Sequence, residues 1–356
     1  MLRLIDWYLA KTVLGTTFVT MFVILFLRTF FSYMDELKDV GKGQYSSLDA
    51  LIYVLLSSPN LLYEYFPICI LLGGLFGLGV LAQNSELLVL RASGVSTYRI
   101  AYAVMKANLV LIVIVIIMGE WVAPAATKFG KQLRTIAITE GRLTKSQSGI
   151  WLKEGNSFIQ VADVYATGDL SNITIINLND KLELESVYQA KTGRYEKDSA
   201  HWLLQDITFT RYNEYNVVSR KMESMPWDSQ FLNPNNVNVV GLNPGDLNLV
   251  GLINYKNYLK ANGLQSEAYE LAFWNKLFMP ISIAVMMFMA LSFIFGPLRS
   301  TTMGARILAG TIVGFAFHLT SRTFGNLASE IPPVISAILP SIIFALFAYG
   351  MMRKAG

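Results

Sequence analysis

The chain has 356 residues, of which 53% are hydrophobic and 15% charged, against about 25% charged in soluble domains, and its mean hydropathy is +0.42. This composition excludes a wholly soluble protein and describes an integral membrane protein with room for one extramembrane domain. The net charge of +4 is too small to argue for nucleic acid, and the single cysteine, Cys69, excludes an internal disulfide.

Residues 1–10 lack a short apolar core with a cleavage site, so the first apolar run reads as an anchor. Crossing the hydrocarbon takes about 20 apolar residues. Six stretches qualify: Thr12–Phe31, Leu61–Ala82, Ile100–Gly119, Phe273–Phe295, Ala305–Phe324 and Pro333–Gly350. The second has an alternative start near Leu51, with Pro59 and Pro67 kinking it. Its Gly73-x-x-x-Gly77 pattern suits close helix contact, read as packing within the chain in preference to a dimer seam.

Between the second and third runs lies Gln83–Arg99, QNSELLVLRASGVSTYR. Ser85 is placed to cap a helix, Glu86 sits in the first turn where the dipole favours an acid, and Gly94 offers a stop. Leu87, Leu88, Val89 and Leu90 form its apolar body, with Arg91 near the end. Composition alone leaves two readings open: an interfacial helix covering the bundle, or a helix docked in the groove of a soluble partner.

Lys and Arg near the span ends set orientation. Arg3, Lys11, Arg91, Arg99, Arg299, Arg306, Arg353 and Lys354 collect on one side. That side is therefore expected to be cytoplasmic, with both termini, the Gln83–Arg99 helix and the Gly296–Gly304 loop; Glu120–Ala272 lies outside. The outer segment reads as short strands: Ser157–Val164, Asn172–Leu178, Lys181–Tyr188, Trp202–Tyr212 and Asn216–Met222. Ile173/Ile175, Leu182/Leu184 and Ile207/Phe209 alternate, and Gly168-Asp169, Asn179-Asp180 and Lys197-Asp198 mark turns. The expected fold is a sandwich, jelly roll or partly open barrel, followed by an amphipathic helix over Leu249–Asn262. The fold class is α+β: six spans in a 3+3 arrangement with a β domain inserted between spans three and four. The expected boundaries are residues 1–136, with the cytoplasmic helix at 84–94, then 137–250 for the β domain and 251–356 for the rest.

No phosphate loop, H-E-x-x-H, Cys/His cluster or G-x-S-x-G occurs, so no nucleotide, metal or nucleophile site is expected in this chain. His318 lies about a turn from Arg322 in the fifth span, and Arg28 and Glu64 are other ionisable groups within spans. The absence of acids near the midplane speaks against ion-coupled transport. Lys38, Lys42, Lys128, Lys131 and Arg134 gather at the outer headgroup level. Such bases serve either as general interfacial charge or as ligands for lipid phosphates.

Three runs carry a resemblance: GGLFGLGVLAQNSELLVLRASGVS (Gly73–Ser96), GEWVAPAA (Gly119–Ala126) and LSFIFGPLRSTTMGAR (Leu291–Arg306). They resemble the LptF/LptG permeases of the bacterial lipopolysaccharide exporter, the last two runs being nearer the LptG branch. The likeness covers essentially the whole chain. It implies a periplasmic β-jelly roll, an LptF partner, a dimer of the ATPase LptB carrying ATP and magnesium, and the periplasmic proteins LptC and LptA; no cofactor binds this chain. It makes Ser85–Ala92 the coupling helix, with Glu86 as its functional acid beside Leu87, Leu88, Leu90 and Arg91. It assigns Lys38, Lys131 and Arg134 to lipid phosphates. Ser32 and Asp39 stand where relatives often carry bases, with Arg28 and Lys42 as substitutes. It lines the acyl-chain cavity from the first and fifth spans, here Phe26, Phe30, Phe315 and Leu319. The function implied is extraction of lipopolysaccharide from the outer leaflet of the inner membrane. The alternatives are a multi-span scaffold for a periplasmic partner and an ion-coupled lipid flippase.

Overall fold

The computed structural model describes residues 2–139, 149–165, 168–196, 199, 201–213, 215–229, 232, 243–296, 301–328 and 330–355. The expected Lys197-Asp198 turn and residues 297–300 of the Gly296–Gly304 loop, Arg299 among them, lie outside them. The chain divides into two compact units, one of Met1–Ser32, Ser57–Ala125 and Glu267–Gly356, the other of Tyr33–Leu56 and Ala126–Ser266.

All six apolar runs are helical. Helix α1 is Leu2–Glu36 and α2 is Ser47–Gln83, so α2 takes the earlier of its two starts and holds both Pro59 and Pro67 inside it. The short α3 is Glu86–Ala92 and α4 is Thr97–Ile117. The third run does not stop at Gly119: a π-turn over Met118–Val122 joins α4 to α5, Ala123–Thr139. The wider π-turn makes room for the Pro124 ring, which would otherwise clash with the carbonyl four residues back. After the β domain come α6 (Leu249–Ala261), α7 (Glu267–Phe295), α8 (Met303–Asn326) and α9 (Pro333–Ala355).

Among the described residues five helical stretches are long and apolar enough to cross a membrane: Leu4–Asp39, Ser47–Gln83, Thr97–Thr139, Glu267–Phe295 and Pro333–Arg353. Helix α8, the fifth expected span, has 24 residues, about 36 Å of rise, which is sufficient length. Its apolar character is diluted by Arg306, His318, Arg322 and several hydroxyl and glycine residues.

The membrane unit has one core. Leu71, Leu75 and Leu78 of α2, Val104 and Leu111 of α4, and Met286, Met287 and Leu291 of α7 are buried together. Gly73 and Gly77 explain how α1 joins it. A Cβ on Gly73 would lie 2.4 Å from Thr17 Cα, and one on Gly77 would lie 2.6 Å from Thr16 Oγ1. The bare backbone also lets Thr16 Oγ1 donate to the Gly73 carbonyl at 2.8 Å. The pattern thus works as packing within the chain, as its spacing suggested.

In the other unit six strands form one antiparallel meander in chain order: β1 (Ile150–Glu154), β2 (Ser157–Val164), β3 (Leu170–Leu178), β4 (Leu184–Glu196), β5 (His201–Tyr212) and β6 (Val217–Trp227). Strand β1 was not anticipated; it is five residues long with Trp151 and Lys153 directed away from the core. Strand β4 starts later than expected and runs further. Asn179 Oδ1 accepts from the N–H groups of Lys181 and Glu183, which holds 179–183 as a turn. Leu182, expected to alternate with Leu184, sits in that turn at φ 61° and is exposed. One face of the sheet buries Ile159, Val161, Ile173, Ile175, Trp202, Leu204 and Ile207. The Trp202 indole N–H donates to the Leu232 carbonyl at 2.7 Å, so its burial leaves no polar atom bare.

Helix α6 buries Leu252 and Leu259 and sets Tyr255 and Tyr258 against the sheet core. The Tyr258 hydroxyl accepts from the Lys153 N–H and donates to the Lys153 carbonyl, both at 3.2 Å. Asn262 Oδ1 takes the Gly155 N–H at 2.9 Å. Lys153 lies on the outer edge of β1 and Gly155 in the turn that follows it, so α6 covers that end of the edge. Burial raises the Tyr258 phenol above its ordinary pKa, which keeps it a donor.

Candidate functional site

Helix α3 is the first candidate. Ser85 does not cap it with its side chain: its backbone is left-handed, φ 62°, because the chain must reverse within two residues of the end of α2. The stop is as expected, with Gly94 at φ 89° and the Val95 N–H on the Leu90 carbonyl at 3.0 Å. Leu87 is buried in the membrane unit and Leu90 packs against it. The outward apolar surface is therefore Leu88, 56% exposed, and Val89, 64% exposed. Leu87, expected on the outward face, is turned inward, and Val89 is exposed instead. Glu86 is fixed by two donors, the Tyr8 hydroxyl at 2.7 Å and Asn84 Nδ2 at 3.3 Å. Arg91 lies in the last turn, where it suits the dipole.

Four of the five basic groups read near the β domain, all but Lys128, are paired with acids among the described residues. Lys38 meets Asp35 at 2.8 Å, Lys42 meets Asp39, and Lys131 meets Asp246. Arg134 reaches both Glu36 and Asp39, and its guanidinium lies 5.3 Å from the Tyr53 ring centre. The departure at Asp39 thus has a structural role, since one carboxylate joins Lys42 and Arg134. Exposure separates the four bases. The Lys38 side chain is 76% exposed, whereas that of Arg134 is 13% exposed. Tyr45 is buried beside this cluster and donates to Glu36 at 3.1 Å; burial and then the Glu36 charge hold its phenol protonated well above the ordinary range. The Lys38 and Lys42 side chains are exposed to solvent, while Arg134 and Lys131 brace the fold.

The apolar candidates are exposed, and Phe30 meets its neighbour Phe31 edge to face at 5.8 Å between ring centres. Phe26 and Phe30 lie on an exposed face of α1, and Phe315 and Leu319 on one of α8. Arg28 is oriented differently: its guanidinium stacks on Tyr65 at 5.0 Å, and Tyr65 stacks on His318 at 5.8 Å. The three form a pile from α1, α2 and α8. Arg322 is exposed one turn beyond. Among the described residues no cluster of metal ligands exists.

Comparison with known proteins fits this layout of apolar helices around an inserted sheet. Residues 7–354 match the family model described as lipopolysaccharide export system permease LptF/LptG. The chain belongs to the LptF/LptG family. It is 39% identical to the lipopolysaccharide export system permease protein LptG of Escherichia coli K12, over 99% of this chain and 98% of that one. It is 33% identical to the protein of the same name from Haemophilus influenzae, over 99% of both chains. As a member of the lipopolysaccharide export permeases it is a multi-pass membrane transport protein.

Within this LptF/LptG chain the structure adds a group that sequence reading missed. Lys276 of α7 is buried, 6% exposed, and donates to the Gly119 carbonyl at 2.6 Å and to Glu120 Oε1 at 3.4 Å. It also lies 5.1 Å from the Tyr63 ring centre. The π-turn leaves the Gly119 carbonyl available, and Lys276 takes it. Gly119 must lack a side chain, because a Cβ there would lie 2.3 Å from Tyr63 Cε2. The G-E-W-V-A-P run is thus a junction of α2, α4 and α7. Trp121 points outward and is exposed, as an interfacial anchor would be. The only sequence signal was a lysine at the start of an apolar run. Arg306 is a second case: it is buried and donates to the Gly79 carbonyl at 2.7 Å, so it fastens α8 to α2 and is not surface charge.

Proposed function

We propose that this permease works with LptF as one half of a membrane pair, driven by an LptB dimer in the cytoplasm, and passes lipopolysaccharide to LptC and LptA in the periplasm. The observation that carries the reading is α3, a seven-residue helix between two spans with a fixed acid and two bare apolar side chains. The chain has no phosphate loop, so force must arrive through a contact, and Leu88 with Val89 beside Glu86 suits a groove in an ATPase. Tyr8 ties Glu86 to α1, so movement of α3 is transmitted to the helix that carries Phe26 and Phe30.

Cargo would enter sideways from the outer leaflet of the inner membrane. Its acyl chains would lie on Phe26, Phe30, Phe315 and Leu319, and its phosphates on Lys38 and Lys42, with Lys131, Arg134 and Arg28 holding the surrounding shape. Extraction needs outside work because each buried CH₂ is worth about 0.8 kcal/mol and the cargo has several chains. Strand β6 supports the onward step: it is mostly exposed and among the described residues no strand pairs with its outer edge, so that edge can accept a strand from a periplasmic partner. Both termini then face the cytoplasm.

The test is reconstitution. Vesicles holding this chain with LptF should release lipopolysaccharide to a soluble acceptor only when LptB and ATP are supplied. Release without the ATPase, or release that collapses with the proton gradient and ignores ATP, would refute the reading. A Glu86→Ala variant should lose co-purifying ATPase.

A further inference from the structure

One end of the β domain's inner face departs from the apolar pattern of the rest. On paired positions of β2, β3 and β4, Ser157, Asn177 and Ser186 form a polar rung. Ser157 Oγ donates to Asn177 Oδ1 at 2.7 Å, and Asn177 Nδ2 donates to Ser186 Oγ at 3.1 Å. Ser186 is buried. A primary amide carries two N–H donors and this rung uses one, so one Asn177 N–H remains for something else. Two strands kept apolar at this rung would have been simpler to bury.

The rung opens on a cavity of about 390 Å³ lined by Ile159, Tyr188, Trp227, Asn177, Glu154 and Asp228. That volume falls within the range of small-molecule sites, about 300–1,000 Å³. Ring faces, an amide, a hydroxyl and two carboxylates are combined in it. Aromatic faces accept the C–H surface of a sugar ring, and its hydroxyl groups are both donors and acceptors, so they use the amide and the acids together. The carboxylates also exclude phosphate. Ser229 already donates to Glu154, which orients that acid at the mouth.

We propose that this cavity is a saccharide subsite, which takes an uncharged sugar ring of the exported glycolipid. The choice of cargo rests on the export reading; the pocket chemistry does not.

The test uses the full chain co-purified with its partners in lipid nanodiscs. The probe is the lipid-free oligosaccharide cut from lipopolysaccharide and stripped of phosphate, read by saturation-transfer NMR. Ring-proton signals should appear with the natural chain. They should weaken about tenfold in affinity in Asn177→Leu and in Trp227→Ala, the loss expected for one hydrogen bond or one ring contact of about 1.4 kcal/mol. Trp227→Phe should retain most of the binding. Asp228→Asn, at an exposed site, should weaken binding with an unchanged melting temperature. No signal from the natural chain, a signal indifferent to Asp228→Asn and Asn177→Leu, or preference for a trilysine peptide over the sugar would overturn the proposal. Export measured in the same preparation separates the two readings: failed ATP-driven export with intact sugar binding removes the export reading and leaves the subsite standing.

Discussion

Replacing Lys276 by Met tests the α2–α4–α7 junction. The ammonium is 6% exposed and Glu120 is 19% exposed, so neither is well solvated. Removing it strips the donor from the Gly119 carbonyl and takes away the cation beside the Glu120 carboxylate. Breaking a buried ion pair from one side costs about 3–5 kcal/mol, and Glu120 retains some access to headgroup water, so about 3 kcal/mol is expected. At about 2–4 °C per kcal/mol for a chain of this size class, the melting temperature should fall by roughly 6–12 °C. The assay is thermal unfolding of the purified chain in one detergent, followed by tryptophan fluorescence. The double variant Lys276→Met with Glu120→Gln should recover most of the loss, since no unpaired charge then remains. A single variant that melts within about 1 °C of the natural chain, or a double variant no better than the single, would refute the reasoning.

Gly119→Ala should cost about 1–3 kcal/mol by overpacking against Tyr63, measured by the same melt, and Tyr63→Ala should relieve it. Leu88→Asp with Val89→Asp should abolish co-purification of the ATPase with the melt unchanged. Leu87→Ala should instead lower stability by about 2–5 kcal/mol, because that side chain is buried in the chain's own core. Lys38→Glu should lower photocrosslinking to lipopolysaccharide without changing the melt. Arg134→Ala should lower the melting temperature by leaving Glu36 and Asp39 facing each other.

The sequence was most legible where length and polarity decide the outcome. A run such as Ser47–Gln83 is helical because no other structure satisfies its backbone in lipid, even with two prolines inside. Isolated punctuation was less reliable. Ser85 looked like a cap by residue type, but the chain reversal at that point demanded a left-handed residue. Leu182 looked like a strand residue until the Asn179 side chain claimed the neighbouring N–H groups. The third span's extension into α5 was hidden because Pro124 argues for a stop unless a wider turn precedes it. The bases near the β domain were found from type and position alone. Which of them are exposed was not legible, because Arg134 meets Glu36 and Lys131 meets Asp246 from distant parts of the chain. Lys276 escaped for the same reason: its acceptor is a carbonyl that only a π-turn releases.

The two borders of the sheet are unequal. Tyr258 and Asn262 cover the β1 side, and among the described residues no strand pairs with the outer edge of β6. A strand added by another domain is therefore expected on the β6 side, like a zip with a single open end. If a periplasmic domain joins by strand addition as proposed, one such edge gives each permease one bridge and no branch.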